Sequence, residues 1–154
     1  MDRDLLDLLR RLLASPVAAL GTLHDGAPSV SMVPLVAAPD RSGFLIHVSR
    51  LAQHTRDLEA DPRISLLFMA PLVPETDPLA LPRVTVQATA MALSHDSEAY
   101  AAAAPVYLDR FPSAELTLGL GDFSFFLLQP TEGRLVAGFG RALSLDRPQL
   151  LSAL

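Results

Sequence analysis

The segment that is most informative about the fold is His47-Val-Ser-Arg-Leu-Ala-Gln-His-Thr-Arg-Asp-Leu-Glu-Ala-Asp-Pro-Arg-Ile-Ser-Leu-Leu-Phe68. β-branched and aromatic residues lie before Ser49 and again from Ile64 onward, which is typical of two strands. Between them the spacing of Leu51, Thr55 and Leu58 indicates one face of a short helix, and Ser49 is predicted to be its N-cap. Asp61-Pro62 ends the helix because proline disfavours the α conformation in its predecessor. The stretch therefore predicts a strand, a tight corner, a helix and a second strand.

The predicted corner gathers several groups that bind anions. Ser49 and Thr55 carry hydroxyls, Arg50 a guanidinium and His54 an imidazole. Free backbone N–H groups and the positive end of the helix dipole favour an anion at the same place. A capped surface helix with polar residues is the plainer interpretation of the same pattern. The residues alone therefore make the corner a candidate phosphate site.

Size and composition limit the class of protein. The 154 residues, half of them hydrophobic, predict one domain (1–154) with a full core. A net charge of −5 argues against a nucleic-acid-binding protein. Without cysteine there are no disulfides, thiolate metal sites or cysteine nucleophiles. We expect a cytoplasmic protein without a membrane span, because the start is too acidic for a signal peptide and the apolar segments are short.

The remaining chain alternates short strands with turns and a few helices. We predict helices over residues 2–14, 96–110 (interrupted at Pro105) and 147–154, strands over 17–23, 29–36, 83–93 and 123–128, a loop over 70–82 and a turn over 129–133. Asp25-Gly26 marks a hairpin turn, and at Pro34 the strand should bend, bulge or lie at a sheet edge. This order indicates a mainly β fold with α additions, a small antiparallel barrel.

Several kinds of catalytic site lack their sequence patterns. No metal-binding spacing accompanies His47 or His54, so no metal site is expected. Ser49 lacks the glycines of a hydrolase elbow, and Gly138-Phe-Gly140 lacks the rest of a dinucleotide motif. Asp57 and Asp61 are predicted to lie on a solvated helix face. A bound organic cofactor is then the most economical source of chemistry.

Four further segments, in order around the corner, carry a resemblance. They are Ala18-Ala-Leu-Gly-Thr-Leu-His-Asp-Gly-Ala-Pro-Ser-Val-Ser-Met-Val-Pro34, Pro82-Arg-Val-Thr-Val86, Gly121-Asp-Phe-Ser-Phe-Phe-Leu-Leu-Gln-Pro130 and Gly138-Phe-Gly-Arg-Ala142. Together with the corner they resemble the pyridoxamine 5′-phosphate oxidase-like FMN-binding split-barrel family, and most closely its haem-utilisation branch. The resemblance covers about residues 5 to 145.

The resemblance implies an antiparallel split β-barrel that forms a homodimer, with FMN bound at the two-fold interface. The positions that match the family's cofactor contacts are Ser49, Arg50, Gln53, His54 and Thr55 at the phosphate, Arg83 elsewhere on the cofactor, and Ser31, Met32 and Val33 along the flavin ring. Asp122, Phe139 and Arg141 match positions near the flavin or the dimer interface. The segment around Phe139 is expected to pack there, with a simple β-bulge as the alternative.

Departures from the family pattern leave three hypotheses. Gln53-His54 replaces an Arg-Lys pair and the substrate-phosphate arginine motif is absent, which argues against pyridoxamine phosphate oxidation. The haem ligand of the haem-utilisation branch is a histidine in a C-terminal extension, whereas the last histidine here is His95. The first hypothesis is an FMN-dependent oxidoreductase of unknown substrate, with a deazaflavin as an alternative cofactor. The second is a haem-binding or haem-degrading protein, and the third is a non-catalytic flavin-binding or stress-associated protein.

Overall fold

The computed structural model describes all of residues 1–154. The helices are α1 (Arg3–Leu13), α2 (Gln53–Ala60), α3 (Glu98–Arg110), α4 (Glu115–Leu118) and α5 (Arg147–Leu151), with 3₁₀ turns at Pro78–Ala80 and Pro112–Ala114. The strands are β1 (Val17–His24), β2 (Ala27–Pro34), β3 (Val36–Ala37), β4 (Phe44–Ser49), β5 (Arg63–Met69), β6 (Arg83–Ala92), β7 (Phe123–Gly138) and β8 (Arg141–Asp146).

The eight strands form one antiparallel sheet that curls into a half-barrel. Its order is β2-β1-β5-β6-β7-β4-β3, with β8 added to β7. β2 and β3 lie at opposite ends of this order, yet only Leu35 separates them along the chain. The sheet must therefore curl until its two ends meet at Leu35, whose N–H bonds the Pro16 carbonyl at 3.0 Å. The predicted antiparallel split barrel is confirmed. The strand predicted over 29–36 ends at Pro34 instead, and Pro34 lies on an edge strand, which was one of its predicted positions.

Helix α1 closes the core on the inside of the curl. Its N-cap is Asp2, whose carboxylate accepts a hydrogen bond from the Leu5 N–H at 2.9 Å. Leu5, Leu9 and other apolar residues of one helix face are buried in the main core cluster, which they share with β1, β4, β5, β6 and β7. The predicted amphipathic helix is confirmed. The β1–β2 hairpin also matches its prediction, because Asp25 and Gly26 both have positive φ angles, as the twist of such a turn requires.

Three elements after residue 95 differ from the prediction. Helix α3 continues through Pro105, because this residue lies on the exposed face, where water can bond the carbonyl that loses its partner. The predicted turn over 129–133 is wrong, since β7 runs unbroken from Phe123 to Gly138. A bulge shifts its register against β6 between Gln87 and Ala88, which accommodates Pro130 within the strand. Strand β8 was not predicted.

Candidate cofactor site at the start of helix α2

The corner after β4 is a turn followed by the helix. The Ala52 N–H bonds the Ser49 carbonyl at 3.1 Å, and the helix begins at Gln53. The prediction that Ser49 caps the helix is wrong, because Ala52 is the N-cap and makes no side-chain cap. The Ser49 hydroxyl instead accepts a hydrogen bond from the Leu51 N–H at 3.1 Å. Leu51 is 80% exposed, so it does not share the buried helix face as predicted.

Asp122 lies against the corner and joins it to the start of β7. The Ser49 hydroxyl donates to Asp122 Oδ2 at 2.7 Å, and the Arg50 N–H donates to the Asp122 carbonyl at 2.8 Å. The only hydroxyl proton of Ser49 is therefore already used. The arrangement places a carboxylate beside the position where the sequence predicted a phosphate.

Other donors at the corner remain available. The first helical N–H to bond within α2 is that of Arg56, which reaches the Ala52 carbonyl at 3.5 Å. The N–H groups of Gln53, His54 and Thr55 therefore have no backbone acceptor, as is usual in a first helical turn. The Arg50 side chain is exposed. In contrast, the Thr55 hydroxyl is completely buried and has no hydrogen-bond partner, so that side chain does not reach the surface.

Helix α2 faces the β1–β2 hairpin through polar contacts. The Gln53 amide nitrogen donates to the Ser29 hydroxyl at 3.4 Å, and His54 Nδ1 lies 3.1 Å from the Ser31 hydroxyl. Burial lowers the pKa of His54, and the nearby Asp57 carboxylate opposes that shift. At neutral pH the imidazole is therefore neutral, with one nitrogen oriented by Ser31. The other nitrogen, Nε2, has no protein partner and is not enclosed.

A second polar cluster lies further along the same helix. Asp57 is buried and accepts hydrogen bonds from the Thr22 hydroxyl at 2.9 Å and from His24 Nδ1 at 2.7 Å. The prediction that Asp57 lies on a solvated face is therefore wrong. The signal that could have found this cluster is the inward alternation of Ala18, Leu20 and Thr22, which aims a hydroxyl at the interior.

His47 does not take part in the corner. Its ring is buried among Tyr107, Phe123 and Phe125, with ring centroids 4.5 to 5.7 Å away. Burial lowers the pKa of His47 to about 4. Its Nδ1 lies 3.4 Å from the Thr117 hydroxyl, while Nε2 has no partner. At neutral pH the imidazole is therefore uncharged and packs against these aromatic rings.

The other residues implicated by sequence lie elsewhere in the same chain. Arg83 starts β6 between Met69 and Val136 of the neighbouring strands, and its guanidinium donates to the Leu81 carbonyl at 2.9 Å. β6 is three strands from β2 in the sheet, or roughly 14 Å. Phe139 forms the tip of the β7–β8 hairpin and is 75% exposed, and Arg141 follows it in the open.

Within one chain, the residues predicted from the sequence therefore lie in two separate groups. The first group lies around the corner and consists of Ser31, Ser49, Arg50, Gln53, His54, Thr55 and Asp122. The second lies at the far end of β6 and at the β7–β8 hairpin and consists of Arg83, Phe139 and Arg141. The hairpin turn has positive φ angles at Gly138 and Gly140, which explains both glycines without a ligand.

The outward face of β2, β1 and β5 is an open apolar surface, which we call the outer sheet face. Its large exposed side chains are Val17, Val30, Met32 and Met69, between 42% and 75% exposed. Met32 aligns with Ala19 and Leu67 across the strands. Val33 points to the other side and is 1% exposed, so only its backbone could meet a ligand. Exposed apolar patches of this kind mark interaction sites.

Neither a metal-ligand cluster nor a helix able to cross a membrane is present in the structure. No three histidine, aspartate or glutamate side chains cluster as they do around a metal ion. No helix combines the length and apolar character that crossing a bilayer demands.

Comparison with known proteins defines the family. The sequence model of the pyridoxamine 5′-phosphate oxidase family matches residues 5–137. The chain belongs to this family, which has the split-barrel architecture described above.

Three relatives narrow the comparison. The chain is 32% identical over 130 residues to haem oxygenase HutZ of Vibrio cholerae, covering 82% of this chain and 72% of that protein. It is 39% identical over 119 residues to the non-canonical chloroplastic haem oxygenase HOZ of Arabidopsis thaliana, covering 77% and 35%. The structure of a haem-binding protein from Mycobacterium smegmatis superposes with a TM-score of 0.84 at 29% identity. The match covers 99% of this chain and 62% of that one. The chain thus spans about a third of the plant protein and under two thirds of the mycobacterial one.

Proposed function

We propose that this protein binds haem, as a homodimer, and that its reaction class is the oxidative degradation of that haem by dioxygen, with electrons from an external donor. The observation that carries the proposal is the hydrogen bond from Ser49 to Asp122. It uses the hydroxyl expected to hold a flavin phosphate and adds a carboxylate beside it. A phosphate dianion is repelled by such a group, whereas haem iron needs only a neutral ligand nitrogen.

His54 fits the requirements of a haem ligand. Its imidazole is half-buried and neutral, because burial lowers its pKa. The Ser31 hydroxyl on Nδ1 orients the ring and leaves Nε2 free, as partners of metal-bound histidines commonly do. The exposed leucines Leu51 and Leu120, on the two segments joined through Asp122, offer apolar contact nearby. When bound, haem would supply redox-active iron.

The homodimer part of the proposal follows from the outer sheet face. A monomer would expose Val30 and Met32 side by side on an edge strand. A second copy placed on this face would bury them. The separation of the predicted residues into two groups within one chain agrees with the expectation from sequence that both chains contribute to a cofactor site at a two-fold interface.

FMN is the second candidate, favoured by a different observation. The three free N–H groups of Gln53, His54 and Thr55 and the exposed Arg50 guanidinium are donors suited to a phosphate. The relatives named above are described as haem oxygenases or as a haem-binding protein, which favours haem over FMN. The experiment described next distinguishes haem binding from the FMN-dependent oxidoreductase hypothesis.

The test is a spectroscopic titration of the purified protein with haemin and, separately, with FMN. We expect a Soret band that saturates at one haem per chain and FMN fluorescence that is quenched only at high protein concentration. His54→Ala should weaken haem binding and shift the Soret maximum, because an iron ligand is lost. His95→Ala is the matched control, since His95 contacts Ser124 and Tyr100 rather than the corner.

Degradation is tested on the haem complex with ascorbate as electron donor, by following loss of the Soret band. Stable FMN binding without any haem complex would overturn the proposal in favour of the flavin. An unchanged Soret spectrum in His54→Ala would remove His54 as the ligand and leave haem binding in place.

A further inference from the structure

Helix α2 packs on the β1–β2 hairpin through the buried Leu58 and through several polar side chains. Gln53 bonds Ser29 near its start, His54 bonds Ser31, and Asp57 accepts from both Thr22 and His24 one turn later. The Gln53–Ser29 contact is long, at 3.4 Å, and exposed. The Asp57 contacts are shorter, and the one with Thr22 is buried, whereas the His24 ring is half exposed. Asp57 therefore makes the strongest polar attachment on this side of the helix.

The environment of Asp57 leaves it little freedom. Its side chain is 4% exposed, and its two oxygens each meet a donor of β1. A buried carboxylate without partners is costly, so the folded protein must keep both donors in place. His54 is three residues earlier, on the adjoining turn of the same face. Whatever holds Asp57 also holds His54 toward Ser31.

We infer that Asp57 is a positioning residue for the candidate haem site, and that His24 makes this attachment dependent on pH. The inference rests on the proposed function only for the identity of the ligand. Protonated His24 forms an ion pair with Asp57, which fixes α2 and the His54 ring. Neutral His24 retains a hydrogen bond without the charge, and the helix is then held less firmly.

The charged groups around His24 and Asp57 determine whether the ion pair is lost at high or at low pH. The hydrogen bond to Asp57 and then its charge raise the pKa of His24 above 6.5, with Asp25 assisting and with burial and Arg56 opposing. The hydrogen bond from His24, with contributions from Thr22 and Gln53, lowers the pKa of Asp57 below 3.8. The ion pair is thus complete in mildly acidic solution. It is lost as the pH rises through the raised pKa of His24.

The experiment uses the full chain without ligand first. NMR titration follows the rings of the four histidines, and amide exchange follows α2, in wild type, Asp57→Asn and His24→Asn. We expect Asp57→Asn to lower the pKa values of His24 and His54 and to accelerate α2 exchange by at least about tenfold. In wild type, the protection of α2 amides, corrected for their base-catalysed intrinsic exchange rate, should also fall between pH 6 and pH 8.5. His24→Asn, which cannot titrate, should lose that pH dependence, while His95→Asn should keep it.

Haemin titrations at the same two pH values complete the test. We expect affinity to fall several-fold more with rising pH in wild type than in His24→Asn. Unchanged α2 exchange and an unchanged His54 pKa in Asp57→Asn would overturn the inference, and if that variant does not fold, the same pH dependence in His24→Asn as in wild type would do so. Failure of wild type to bind haem, with the expected NMR changes, would refute the proposed function and leave the role of Asp57 intact.

Discussion

The Ser49 hydroxyl and the Asp122 carboxylate, 73 residues apart in the chain, form a 2.7 Å hydrogen bond at the end of β4. The same two segments pair as strands, with Ser49 opposite Phe123. The bond gives the corner a negative charge among donors that would otherwise suit an anion. The carboxylate therefore opposes the binding of a phosphate at the corner. Three predictions concern this site and its surroundings.

Asp122→Asn should increase the affinity for FMN. The amide keeps the shape of the carboxylate, removes its charge and can donate to a phosphate oxygen, so we expect roughly tenfold tighter binding. Quenching of FMN fluorescence at pH 7 measures this. Asp96→Asn, at an exposed aspartate outside the corner, is the matched control. Equal FMN affinities in wild type and Asp122→Asn would show that the carboxylate does not oppose the phosphate.

Met32→Glu should convert the homodimer into a monomer. Met32 is 61% exposed on the edge strand of the outer sheet face, and a carboxylate there would be buried without a partner in the proposed interface. Sedimentation velocity gives the mass directly. Ala101→Glu, on the exposed side of α3, should remain dimeric. A wild-type protein that sediments as a monomer at micromolar concentration would contradict the proposed dimer.

His47 should make folding stability depend on pH. Its pKa is about 4 in the folded protein and near 6.5 when unfolded, so the unfolded chain binds a proton first as the pH falls. The neutral ring's contribution is complete above pH 6.5, and about 2–3 kcal/mol should be lost between pH 7.5 and pH 4.5. Urea unfolding of wild type and His47→Phe at both pH values measures this. The variant should lose that part of the dependence, and equal pH dependences would contradict the assignment.

Local elements of the fold followed from the sequence. The leucine stripe of α1 and its N-cap Asp2 depend on neighbouring residues only. The same is true of the Asp25-Gly26 turn. These features were predictable because backbone preferences and side-chain periodicity act within a few residues.

The sequence predicted where the corner lies in the chain but not which side-chain contacts form there. Sequence placed Arg50, Gln53 and His54 together, and the structure does so as well. It did not show that Ser49 bonds Asp122 rather than the helix, or that the Thr55 hydroxyl is enclosed. Both results depend on β7 and the core packing against the corner, which no local pattern encodes.

The succession of strands and helices, and the family that their motifs resemble, could be inferred from the order of the residues. The pairing of distant side chains could not: Asp57 with Thr22 and His24, and Asp122 with Ser49. Strand propensity and helix periodicity are local, whereas these contacts depend on the register and curl of the whole sheet. The burial that gives Asp57 and His54 their properties exists only once that sheet has closed.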